Sequence, residues 1–274
     1  MNIFVSETPR RQLSDLVLGA ETDRQLRTAL AKIQYHDKLY HEWGLETIHP
    51  EGRGIAINLY GPPGTGKSFA AEAIASHLGR PLIRVDYAQV ESRFVGDTPK
   101  NIVAAFEAAK EANAVLFFDE ADSMLSRRAT NITQAADYGV NVSRSTLLLQ
   151  LDNFEGVVLF ATNLASNYDP AFVRRILAHV QFPLPDESSL VRLWKLHLPA
   201  KLPRDPDVTP EALASRSLGL SGGDVLNVVI LAASTAVERG SGRVSLADAE
   251  QSIEQVRRAK QEVGTGAQQI ELSL

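Results

Sequence analysis

Gly61-Pro62-Pro63-Gly64-Thr65-Gly66-Lys67-Ser68 constrains this chain more than any other segment. It satisfies G-x-x-x-x-G-K-[ST], with an apolar run over 55–60 before it and a helix-forming stretch over 68–78 after it. Such a loop needs a buried strand to launch it and a helix N-terminus to close it. That commits the first part of the chain to a layered α/β fold. The glycines let the backbone curl, so that N–H groups and the helix N-terminus face one anion. Lys67 is then placed for the β- and γ-phosphates of a nucleoside triphosphate, and Ser68 for Mg²⁺. Phe69, next on the helix, is grouped with these nucleotide-binding positions.

Five short apolar runs share one character: 55–60, 82–85, 114–118, 157–161 and 179–182. Most are rich in Val, Ile, Leu and Phe without strict polar alternation, as in strands buried on both faces of a parallel sheet. Helical stretches such as 68–78 and 100–112 lie between them, and 21–43 reads as a helix ahead of them. After Pro183 and Pro185 no strand run remains, and 187–198, 210–217, 222–238 and 246–262 read as helices. Thr209-Pro210 is a helix start, and Ser245 with Asp248 resembles a capping box with Asp in place of Glu. The expected fold is a five-stranded parallel sheet flanked by helices, followed by a small all-α domain. The expected divisions are an N-terminal segment 1–20, an α/β domain 21–185, a helical domain 186–262 and a tail 263–274.

Val115-Leu116-Phe117-Phe118-Asp119-Glu120 is an apolar strand ending in two carboxylates. Ligands of open α/β sheets sit at the carboxyl ends of strands. Asp119 is expected to organise Mg²⁺, largely through water, and Glu120 to orient and polarise an attacking water. Asp122 reads equally well as a helix cap.

The loop and the acidic pair together resemble the AAA ATPases of the AAA+ superfamily. The resemblance is nearest to the group containing spastin and katanin, in the compact single-domain form of bacterial members. It runs from about Leu13 to about Arg258 and is carried by further segments. Phe160-Ala161-Thr162-Asn163 resembles the strand that ends in a polar sensor, which implies that Asn163 bonds the γ-phosphate or the attacking water. Asp169-Pro170-Ala171-Phe172-Val173-Arg174-Arg175 resembles the segment bearing arginine fingers, which reach the nucleotide of an adjacent subunit. It departs from the family after Arg175, where Ile176 replaces the usual aromatic, and which arginine dominates is open. Ser92-Arg93-Phe94-Val95-Gly96-Asp97 resembles a pore loop, which implies that Phe94 and Val95 grip a polypeptide. The polar stretch after Arg127-Arg128 resembles a second pore loop by position. Leu220-Ser221-Gly222-Gly223-Asp224 resembles the turn that opens a lid helix near adenine. Residues 15–19, with Asp15, Leu18 and Gly19, resemble the segment lining the base.

Composition narrows the alternatives. The net charge of -5 disfavours a general nucleic-acid binder. There is no cysteine, so thiolate metal sites are excluded. No apolar stretch approaches the roughly 18–20 residues that span a bilayer, so a cytoplasmic protein is expected. The absence of an N-K-x-D motif favours ATP over GTP. The resemblance thus implies an ATP- and Mg²⁺-dependent motor, a homo-oligomer and most readily a hexamer, acting on a protein substrate or adaptor. Two other outputs are weighed against it: a slowly hydrolysing assembly factor or scaffold, and a nucleic-acid-linked loader, which the charge makes unlikely.

Overall fold

A computed structural model describes residues 4–48, 54–86, 97–126, 135–163 and 166–271. The chain divides into two compact units. The first takes in the described residues of Met1–Leu16, Ala20–Pro62 and Lys67–Phe182. The second takes in Val17–Gly19, Pro63–Gly66 and the described residues of Pro183–Leu274.

The first unit is built on five parallel strands: β1 (Ile55–Tyr60), β2 (Leu82–Asp86), β3 (Val115–Asp119), β4 (Val157–Thr162) and β5 (Ala178–Gln181). Their spatial order is β2-β3-β4-β1-β5. Every residue of β4 is buried, as are all but the last of β1 and β3. This is the uninterrupted apolar character expected of strands covered on both faces. The covering helices include α1 (Ala20–Gln34), α2 (Lys67–His77), α3 (Asp97–Glu111) and α5 (Ala135–Asn153), with the single turn α4 (Asp122–Leu125) after β3. Buried alanines at 70, 71, 73 and 75 leave α2 a thin face, so its backbone can lie close to its neighbours. Phe106, Phe118, Phe160 and Phe154 form an aromatic chain through the core. Phe118 and Phe160 stack at 5.4 Å, and Phe106 meets Phe154 edge-on at 5.1 Å.

Register fixes where the functional ends emerge. Tyr60 pairs with Thr162, and Phe118 with Phe160. The residues following β1, β3 and β4 therefore leave the sheet together at its carboxyl edge.

The helix expected over 21–43 is shorter. α1 stops at Gln34, and after a turn the chain continues as a π-helical turn (Lys38–Glu42) and a 3-10 turn (Leu45–Thr47). The wide turn is closed by Trp43 N–H donating to Lys38 O at 3.0 Å, and it buries Tyr40. A strictly 3.6-residue pattern does not anticipate that insertion.

The second unit carries α7 (Glu187–His197), α8 (Pro210–Arg216), α9 (Gly222–Glu238) and α10 (Leu246–Glu271). Each start has a local chemical cause. Asp186 accepts from Ser189 N–H, and Thr209 from Ala212 N–H ahead of Pro210. Ser221 with Asp224, and Ser245 with Asp248, make reciprocal capping boxes. Trp194 is 1% exposed and donates its indole N–H to Ser217 Oγ at 2.9 Å, which anchors α7 in this unit's core. α10 runs on to Glu271, beyond the helix end read at 262. Phe94, Val95 and residues 127–134 lie outside the described residues.

Candidate functional site

Lys67 is the first residue of α2 and is 8% exposed. Its ammonium donates to Gly61 O at 2.6 Å, Pro62 O at 2.8 Å and Asn163 Oδ1 at 2.9 Å. All three of its donors are thereby engaged. Burial pushes its pKa down, against the upward pull of the Asp122 and Asp119 carboxylates. A buried cation with two carboxylates nearby is an electrostatic arrangement more typical of a site than of a core.

Gly61 is where the loop leaves the sheet. Its N–H donates to Thr162 O, and its φ of 147° lies in territory that L side chains rarely adopt. A Cβ there would come within 2.1 Å of Phe182 O. Glycine is required at this position to let the loop start flush against the sheet. Gly66 also has positive φ, at 97°, and opens onto free space where a Cβ would stand.

β3 and β4 supply the polar ends. Asp119 closes β3 and accepts from Arg84 Nη1 at 3.1 Å and from Glu120 N–H at 3.1 Å. Glu120 is exposed and adopts φ 52°, a left-handed backbone unusual for a side-chain-bearing residue. Ala121 N–H donates to Ala161 O, which ties the acidic turn to β4. Asp122 is not a helix cap. Its Oδ1 accepts from Thr162 Oγ1 and from Asn163 N–H, both at 2.9 Å. This resolves the two readings of Asp122: the carboxylate holds the end of β4, and so sets the position from which Asn163 meets Lys67.

Arg174 and Arg175 end the short helix α6 (Pro170–Arg175), which Asp169 caps through Ala171 N–H. The two arginines differ. Arg175 is forked onto Asp152 at 2.7 and 2.9 Å and also donates to Ala171 O. That ion pair raises its already high pKa. Arg174 is exposed. Ser68 and Phe69 follow Lys67 on α2, both half-buried, with the Arg11 guanidinium 4.8 Å from the Phe69 ring centre. Asp15 accepts from Gln12 N–H and stabilises its own 3-10 turn.

Within the second unit, Gly223 N–H donates to Gly64 O at 3.0 Å. Gly222 and Gly223 open α9, and Asp224 is held by Ser221 and Lys260. Burial raises the Asp224 pKa, but these partners outweigh it and the net shift is down. Leu18 O accepts from Arg192, and Gly19 follows it. Pro63 and Thr65 complete the loop.

Sequence reasoning gave no role to Arg84 or Asp152, and none of its own to Thr162 within the quoted sensor strand. The one signal for them was Arg84, a cation within an otherwise apolar strand.

The residues present fit a magnesium-bound triphosphate. They offer a buried ammonium, a serine hydroxyl, a strand-end carboxylate and a glycine with open space beside it. Fold and site define a phosphate-loop nucleotide-hydrolase core. Residues 57–184 match the family described as "ATPase family associated with various cellular activities (AAA)", and this segment is an AAA ATPase domain. The chain is 30% identical over 265 residues to a proteasome-activating nucleotidase of Methanopyrus kandleri, covering 94% of this chain and 59% of that one. It is 31% identical over 269 residues to the Aeropyrum pernix protein of the same name, covering 96% and 64%. It is 35% identical over 211 residues to the ATP-dependent zinc metalloprotease FtsH 3 of Sphaerobacter thermophilus, covering 74% and 42%. The chain thus spans less than two thirds of the length of these relatives. None of the three is spastin or katanin.

Proposed function

We propose that this chain is an ATP-hydrolysing motor subunit that unfolds, remodels or disassembles proteins, working in a hexameric ring. The observation that carries the ATPase reading is the convergence of Lys67, Asn163, Asp122 and Asp119 at the carboxyl edge of the sheet. In this reading Gly61–Ser68 wraps the phosphates, with Lys67 exchanging its present oxygen partners for phosphate oxygens. Ser68 and Asp119 hold Mg²⁺, Asp119 largely through water while Arg84 fixes its carboxylate. Mg²⁺ supplies charge neutralisation between the phosphates when bound. Glu120 orients the attacking water and Asn163 senses it. Asp15, Leu18 and Gly19 of segment 1–20, with Phe69 of α2, line the base. Gly222 and Gly223, which open α9, are base contacts in the same reading; the lid is 186–262, and the tail follows from 263. The α/β domain ends near 185.

Support for protein remodelling comes from relatives whose names couple a nucleotide to proteolysis: proteasome-activating nucleotidases and an ATP-dependent metalloprotease. The finer kinship to spastin and katanin rests on the quoted motifs. A cytoplasmic setting belongs to the same proposal. No helix among the described residues is long and apolar enough to cross a membrane.

Lys67→Ala tests the loop. Removing a charge-assisted donor of this kind costs about 1.5–3 kcal/mol, or about 10- to 100-fold in ATP affinity. Titration with a fluorescent ATP analogue reads it, and unchanged affinity overturns the assignment. Phe94→Ala tests the output. ATP turnover is expected to stay within about twofold while unfolding of a tagged fluorescent substrate is lost, since a residue that grips the polypeptide adds nothing to the chemistry at the phosphate. Retained unfolding would deny Phe94 a part in gripping substrate.

A further inference from the structure

We infer that His36, Asp37 and His41 form a binding site for a zinc-type divalent ion, separate from the nucleotide site. One donor atom of each lies within 4.8 Å of the others. The two histidines stand five residues apart. In an α-helix that offset would turn their side chains about 140° away from each other. The π-helical turn at Lys38–Glu42, with its i-to-i+5 hydrogen bond, cancels the divergence and brings both rings to one side. The deviation from ideal helix found in this segment is therefore the one that makes the cluster possible.

Two further contacts set the rings as ligands. His41 Nδ1 lies 3.0 Å from Glu46 Oε2, across the 3-10 turn Leu45–Thr47. A carboxylate can only accept, so Nδ1 carries the proton and Nε2 is left with the lone pair a metal needs. A carboxylate holding the far nitrogen of a ligating imidazole is the usual supporting shell of a zinc site. His36 stacks on the buried Tyr40 ring at 4.6 Å and 3°, which fixes its plane.

The donor set selects the ion. Two imidazole nitrogens and one carboxylate suit zinc, copper or nickel and disfavour magnesium, which takes oxygen ligands. Metal–ligand bonds of about 2.0–2.2 Å in a tetrahedron put ligands about 3.4 Å apart. Side-chain rotations that shorten these separations by about 1.4 Å or less close the cluster to that spacing. Three protein ligands leave the fourth position to water or an incoming group. A cavity of about 450 Å³ lies alongside, lined by both histidines together with Tyr40, Glu46, Ile55 and Arg80. The site is thus an open one.

The test is titration of the metal-stripped full chain with Zn²⁺ in excess Mg²⁺, and with Co²⁺ as a visible-absorption probe. The expected result is one zinc per chain, unaffected by Mg²⁺, with the intense Co²⁺ bands of four-coordinate geometry. His36→Gln with His41→Gln should abolish both. Glu46→Gln should weaken zinc about 10- to 100-fold, because it removes only the supporting carboxylate. A thermal melt of each metal-free variant confirms folding. Uptake of the same single equivalent by the double variant overturns the site, as does failure of the wild-type chain to bind zinc. An unchanged affinity in Glu46→Gln overturns the role of Glu46 in fixing His41.

Discussion

Arg174→Ala is expected to lower ATP turnover by about 10³-fold or more while leaving ATP affinity near wild type. The expectation follows from the different situations of two adjacent arginines. Arg175 has its fork committed to Asp152 and a third contact to Ala171 O, so it braces the end of α6. Arg174, in the same last turn, is exposed and makes no ion pair among the described residues. A permanently charged guanidinium on a capped, braced helix is suited to meet a phosphate presented by another chain. Arg175→Ala should therefore act mainly on stability, at about 1 kcal/mol or less for so exposed a pair. Phosphate release at saturating ATP separates the two variants.

A mixing experiment asks whether Arg174 acts across subunits. Lys67→Ala chains keep Arg174 but lose the phosphate loop, and Arg174→Ala chains do the reverse. If the finger is supplied by a neighbour, a mixture regains part of the turnover that each lacks alone. Absence of recovery in rings shown to be mixed would place Arg174 outside the neighbouring pocket. Turnover within twofold of wild type for Arg174→Ala would remove it from catalysis altogether.

What could be read from the sequence divides along a physical line. The loop at 61–68 and the strand ending at Asp119 and Glu120 are local: residue type, glycine placement and flanking apolar runs sit within a dozen residues. The five parallel strands were legible because burial on both faces leaves a continuous apolar run. Contacts that place the side chains are not local. Arg84 reaches Asp119 across 35 residues, Asp122 reaches Thr162 across 40, and Arg175 reaches Asp152 across 23. Asp122 shows the consequence. Its composition fits a helix cap, yet strand order puts β4 beside β3, and its carboxylate bonds to β4 instead. The π-helical turn escaped notice because apolar spacing has no signature for one extra residue per turn. The helix end read at 262 erred differently. Gly264 and Gly266 each cost about 1 kcal/mol in a helix, which discourages continuation without forbidding it.

Glu120→Gln is expected to keep ATP binding and lose about 10²- to 10⁴-fold in turnover, the usual contribution of a positioned general base. The substitution preserves volume and shape and removes only the charge and basicity that polarise water. Its backbone supports the assignment independently. A left-handed φ of 52° at a non-glycine residue costs about 1–2 kcal/mol, and nothing in local packing requires it, since the side chain is exposed. The strain is held by Asp119 Oδ1 accepting the Glu120 N–H and by Ala121 N–H reaching Ala161 O. Strain maintained by surrounding structure at a strand end is found where placement of a side chain matters. Glu120→Gly therefore makes a second, opposite readout. It should abolish turnover as Gln does, yet hold or raise the melting temperature because the left-handed position suits glycine. A base chosen for its geometry must show both effects. Turnover of Glu120→Gln within about tenfold of wild type would deny it the role of base, and a Glu120→Gly protein that melts well below wild type would show that the turn is held by the glutamate side chain rather than by its neighbours.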